Sequence, residues 1–181
     1  MNFNGNGIFS DNYAAVAGGG ILSVQSTLNF SGSINFTHNS AAAGGGISEV
    51  HSTMKVTGNW IFTNNSANSE GGGIHILYSS LKHFGNSTFR NHSAKIGGGI
   101  YAKGSTLSTT GNSSDKIGEH SGGVSLCTSL YLKNLAMTHG GAVYAEDSVL
   151  SFQGCNTFCG NSAQYYAGGV YSKNNTLKLN G

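Results

Sequence analysis

Proline is absent from the chain, charged residues make up only 9% of it, and no apolar run is longer than a few residues. A globular enzyme of 181 residues normally carries about 5% proline and 25% charge, so an ordinary mixed α/β core is excluded. The shortness of the apolar runs excludes a membrane span. The first twenty residues lack both a basic start and an apolar block, so they do not read as a signal peptide, and a secreted form would be a mature or excised piece. Nine Lys and Arg stand against seven Asp and Glu, a balance too even for a nucleic-acid face. Helix formers are scarce. With three cysteines, no Cys-x-x-Cys pair and no His cluster, neither a metal site nor a cofactor is expected.

What the chain has is glycine, 29 of them, placed at regular intervals. The block Gly-Gly-Gly-Ile ends at Ile21, Ile47, Ile74 and Ile100, with weaker forms ending at Val124, Val143 and Val170. Phe-x-x-Asn runs from Phe9 to Asn12, Phe36 to Asn39, Phe62 to Asn65 and Phe158 to Asn161, with His92 in place of Asn after Phe89. A third marker, Ser-Thr-Leu or a relative, ends at Leu28, Met54, Leu81, Leu107, Leu130, Leu150 and Leu177. Markers in fixed phase define a repeat of roughly 26 residues.

Within a repeat the apolar residues alternate, as in Leu28-x-Phe30 and Ile74-x-Ile76, which is strand periodicity. One repeat cannot bury its apolar face alone, whereas stacked repeats share a continuous core. The expectation is an all-β fold, a right-handed parallel β-helix of about seven coils with three short strands each. Residues 1–181 form one repeat domain, with irregular, shortened coils over about 107–149.

The Phe and Leu columns read as core. Asn12, Asn39, Asn65 and Asn161 read as a structural ladder of side-chain amides hydrogen-bonded along the axis. The outward position after the glycine block reads Leu22, Ser48, His75, Tyr101, Ser125, Tyr144 and Tyr171, so Tyr101, Tyr144 and Tyr171 form a possible exposed binding row for a cell-surface glycan or protein. Cys155 and Cys159 flank a turn and make a possible disulfide; Cys127 is left over, and burial is favoured for it. Asn-x-Ser/Thr acceptor patterns begin at Asn29, Asn35, Asn64, Asn86, Asn91, Asn112 and Asn174, with Asn64 and Asn91 on the solvent-facing position before the ladder.

The combination of Gly-Gly-Gly-Ile, or Gly140-Gly141-Ala142-Val143, with Phe-x-x-Asn resembles the repeats of chlamydial polymorphic outer membrane proteins. That resemblance implies a β-helical passenger region on a cell surface, acting in adhesion.

Three functions compete. The first is a non-enzymatic extracellular structural protein whose copies stack head to tail into a glycosylated filament, because Met1–Gly5 and Leu177–Gly181 occupy the same phase of the repeat. The second is an adhesin passenger segment of a longer surface protein. A polysaccharide-active enzyme ranks below both: the acids Asp11, Glu49, Glu70, Asp115, Glu119, Glu146 and Asp147 are scattered, and the one adjacent pair points in opposite directions on a strand.

Overall fold

The computed structural model describes residues 1–111 and 129–180. It is all β, with parallel strands stacked as a solenoid. A representative coil runs through four strands, Thr27–Ser31, Ile34–Thr37, Ser40–Ala43 and Ile47–Val50. Repetition of this path builds four sheets, designated I to IV in that order, of seven, six, five and six strands. The seven strands of sheet I bound six turns.

The coil differs from the sequence-based expectation in two respects. Each coil has four strands instead of three, because the short Ser- and Ala-rich runs of sheet III, such as Ser66–Glu70, pair with their neighbours despite a register shift in each. The turns number six instead of seven. In sheet I Leu107 pairs directly with Leu150, and in sheet IV Ile100 pairs with Val143. A step of 43 residues thus replaces the usual 26 or 27, and the irregularity at 107–149 is one lengthened turn. Leu130 leaves the Leu column for the outer face of sheet II, between Thr88 and Thr157. Val124, Ser125, Asn112, Asp115, Glu119 and Cys127 lie outside the described residues.

Each corner of the coil has its own chemistry. Between sheets II and III sit Asp11, His38, Asn64, Asn91 and Lys133, with φ between 53° and 57°, a left-handed conformation that Asn and Asp tolerate best. Between sheets III and IV lies the glycine block, whose three residues are small for three different reasons. The first has φ of 64° at both Gly44 and Gly71. A Cβ on the second, Gly72, would stand 2.4 Å from the Gly98 carbonyl oxygen and 2.5 Å from that of Ser93. The third faces the core, where a Cβ on Gly46 would meet the Phe62 ring at 3.0 Å.

The core holds two columns. Phe9, Phe36, Phe62, Phe89, Tyr131 and Phe158 stack face to face with centroids 4.5–5.3 Å apart. Leu28, Met54, Leu81, Leu107 and Leu150 line the opposite wall, all at most 6% exposed. Among the described residues one carboxyl group interrupts the interior. Glu49 occupies an inward position of sheet IV, in register with Ser23 and Ile76, and is 0% exposed. Neither carboxylate oxygen has a hydrogen-bond partner, and burial pushes the group up to about 8.

The ladder side chains form a continuous chain whose middle members are buried. Asn12 Nδ2 donates to Asn39 Oδ1 at 2.8 Å, Asn39 Nδ2 donates to Asn65 Oδ1 at 3.0 Å, and Asn65 Nδ2 donates to the Phe36 carbonyl at 2.8 Å. The Asn65 amide then donates to His92 Nδ1 at 3.0 Å, the His92 amide to Asn134 Oδ1 at 3.1 Å, and Asn134 Nδ2 to Asn161 Oδ1 at 2.9 Å. Asn134 is a member that the Phe-x-x-Asn pattern misses, because Tyr131 stands where the others have Phe. A second column at the next-but-one corner uses hydroxyls: the Ser26, Ser52, Ser79 and Ser105 amides each donate to the side-chain oxygen of the serine one rung on.

Removing one rung of the ladder should be costly. Asn65→Ala removes the acceptor of the Asn39 backbone amide and the side-chain donor to the Phe36 carbonyl, while Asn39 Nδ2 keeps its bond to the Phe9 carbonyl. At about 1 kcal/mol for each of the two groups, urea denaturation should show a loss of about 2 kcal/mol. A variant within experimental error of the parent would mean that the ladder is ornamental.

Candidate functional site

The outer surface at the corner between sheets III and IV carries the densest cluster of aromatic side chains. Two positions build it, the residue before each glycine block and the second residue after it. Alternation on the strand turns the latter outward, since Ile100, Val143 and Val170 point into the core. His75, Tyr101, Tyr144 and Tyr171 therefore fall in register on successive rungs. Their rings stack with centroids 5.3, 5.2 and 5.1 Å apart and planes within 14°.

Exposure changes along the row. His75 is 8% and Tyr101 9% exposed, whereas Tyr144 and Tyr171 are half-buried. Tyr101 is thus not the exposed contact that its outward register predicts. Burial, then Glu70, raises its hydroxyl to about 12, so the phenol stays protonated. Ser125, the residue read between Tyr101 and Tyr144, falls outside the described residues; Tyr101 pairs with Tyr144 directly.

The residue before the block supplies the other half. Glu70, Ile96 and His139 are register partners in sheet III, and Tyr166 bridges to His139. The His139 ring meets Tyr171 edge-on at 5.2 Å and Tyr166 at 4.9 Å. Tyr165 and Tyr166 are 64% and 60% exposed. His139 and Tyr166 belong to no lettered repeat, but reading only the residues that flank each glycine block, Glu70 and His75, then Ile96 and Tyr101, then His139 and Tyr144, would have found them.

Below the aromatics runs a charged row. Glu146 Oε1 accepts a hydrogen bond from Lys173 Nζ at 2.6 Å, Lys103 Nζ lies 3.4 Å from Oε2, and the Tyr144 hydroxyl donates to Oε2 at 3.3 Å. The Lys173 contact chiefly lowers the Glu146 pKa, and Glu146 in turn raises that of Lys173. Stacked rings cover one another's faces, so the row offers ring edges, hydroxyls and an ion-paired carboxylate, with open aromatic surface at Tyr165 and Tyr166. Among the described residues no group of three His, Cys, Asp or Glu side chains is placed to hold a metal.

The remaining sequence-derived positions are distributed over the rod. Asn29, Asn91 and Asn174 are exposed, and Asn35, Asn64 and Asn86 are half-buried. The Asn64 amide contacts His38 Nε2 at 3.0 Å on the corner above. The Cys155–Cys159 disulfide is not formed. Cys159 is a free, exposed thiol, and Cys155 is disulfide-bonded, but not to Cys159. The strand Asn156–Cys159 is the reason: four extended residues separate the two Cα atoms by about 13 Å, beyond the ~7 Å that a disulfide spans.

No curated protein and no solved structure matches the chain. A family model does match at residues 61–76, the stretch that holds Phe62-x-x-Asn65 and Gly71-Gly72-Gly73-Ile74 and ends on the sheet IV strand that opens the aromatic row. Over these residues the coil that displays His75 is similar to the Chlamydia polymorphic membrane protein repeat.

Proposed function

We propose that the chain is a non-enzymatic, surface-displayed solenoid segment that acts in adhesion, and that the contact is made by Tyr144, Tyr171, His139 and Tyr166. The observation that carries this is the contiguous, partly exposed aromatic cluster on an otherwise hydroxyl- and amide-rich rod. Exposed aromatic patches of this kind mark interaction sites, and Tyr supplies contact area at small entropic cost. The match to a polymorphic membrane protein repeat supports the placement at a cell surface.

The test is binding of labelled protein to cultured epithelial cells, before and after glycosidase treatment. The triple variant Tyr144→Ser, Tyr166→Ser, Tyr171→Ser should bind at least about tenfold more weakly. Unchanged binding by a triple variant of unchanged melting temperature would sink the proposal. Loss of parental binding on glycosidase treatment identifies the ligand as a glycan, and retention identifies it as a protein.

A further inference from the structure

The outer face of sheet I has a chemistry unlike the rest of the rod. Asn29, Lys55, Lys82, Ser108, Ser151 and Lys178 form one axial row in direct register. Lys55 and Lys82 are immediate cross-strand neighbours, about 4.8 Å apart by the strand spacing, and like charges so placed repel. No acid answers them. Of the described carboxylates, Glu49 is inside the core, Glu70 and Glu146 lie on sheets III and IV, and Asp11 and Asp147 sit at corners with φ of 57° and 50°. The ion pairs among the described residues use Lys103, Lys173 and His38, leaving Lys55, Lys82 and Lys178 exposed.

The rows on either side are mainly hydroxyls and amides, interrupted by Val149 on one flank and by Phe84 on the other. Thr53, Ser80 and Thr106 lie along one flank in register, and Ser31, Thr57 and Thr110 along the other. Lys55 also borders a hollow of about 390 Å³ shared with Asn2, Asn29, Ser31 and Thr57. Lys178 stands three rungs beyond Lys82, about 14 Å along the axis.

From this we infer that the outer face of sheet I binds a linear polyanionic glycan laid along the solenoid axis. Unpaired lysines at intervals of one and three rungs meet its anionic groups, and the hydroxyl and amide rows meet its sugar hydroxyls. A nucleic acid fits poorly, since Phe84 is the one aromatic side chain on this face and Lys55 Nζ lies 5.9 Å from its ring centre; single strands are held by several stacking rings in a strongly basic groove. The inference does not rest on the aromatic cluster, which is on other sheets.

The experiment is surface plasmon resonance of the whole chain on immobilised heparin. The expected result is binding that weakens as salt is added, with desulfated heparin bound at least about tenfold more weakly. Lys55→Gln with Lys82→Gln should weaken heparin binding about tenfold with the melting temperature unchanged. Lys95→Gln, on sheet III, and the triple tyrosine variant should bind heparin as the parent does, which separates this site from the adhesive patch. Absence of heparin binding at low salt, parental affinity in the double lysine variant, or competition by single-stranded DNA as strong as that by heparin would each overturn the inference.

Discussion

Gly72→Ala is expected to abolish the folded solenoid under conditions in which Gly169→Ala leaves it intact. At Gly72 the added carbon would lie 2.4, 2.5 and 2.9 Å from three backbone atoms of the next coil, the oxygens of Gly98 and Ser93 and the nitrogen of Ser93. No rotamer relieves such contacts, because the carbon is fixed by the backbone and the obstacles are themselves held in ladder hydrogen bonds, Ser93 by Asn65 and Gly98 by Gly140. Two coils must move apart, and in a stacked array a local gap breaks the nearest-neighbour coupling on both sides. The cost should exceed about 4 kcal/mol, the range reserved for severe core disruption. At Gly169 nothing lies within 4 Å of the added carbon, and the variant should melt within about 2 °C of the parent. Circular dichroism of the two variants decides the matter; equal melting temperatures would show that the coils are not close-packed at this corner.

The second large effect is a loss of stability as pH rises. Glu49 keeps its proton in the folded chain up to about 8 and loses it in the unfolded chain near 4.5. Between those values the unfolded state binds fewer protons, so stability falls with pH, by up to about 1.4 kcal/mol per unit. The contribution is fully present below 4.5 and lost by about 8. His92 works in the opposite direction: burial holds it down to about 4, so its contribution is present above 6.5 and lost as pH falls through 4. His75 and His83 are lowered by burial as well. The melting temperature should therefore peak between about pH 5 and 6.5. Glu49→Gln removes the alkaline limb, and its melting temperature at pH 8 should exceed the parent's by roughly 10 °C, taking 2–4 °C per kcal/mol. A parent curve that is flat from pH 5 to 8 would contradict this account.

Much of the architecture was legible because backbone geometry dictates the letters. Gly44, Gly45 and Gly46 are each required by a different clash or dihedral, and Asn39 is required because its side chain satisfies Asn12, so both recur where the coil recurs. What misled was resemblance without register. Gly122-Gly123-Val124 and Thr128-Ser129-Leu130 spell the markers, yet the rungs after Ile100 and Leu107 are Val143 and Leu150. Sheet III escaped because a strand such as Ser93–Ile96 buries little more than Ala94, too little apolar alternation to announce itself. Glu49 was unreadable for a simpler reason: its column mixes Ser23 and Ser172 with Ile76, Ala102 and Ala145 in the other coils, and nothing local marks a carboxyl there as interior. In the candidate surface, Tyr144 and Tyr171 were legible from the period, while the partnership of His139 and Tyr166 arises only when the glycine corner folds two sheets side by side.

The lengthened turn has an evolutionary and practical corollary. Thr106 and Val149 stay paired across 43 residues, and Gly111 still donates to Gln153 one rung on. The corner after sheet I thus accepts a longer connection while the rungs above and below stay paired, as tolerated insertions at turns generally require. Epitopes grafted after Gly32, Gly58 or Gly85 would emerge in a line one rung apart, making the solenoid a ruler for spacing displayed peptides.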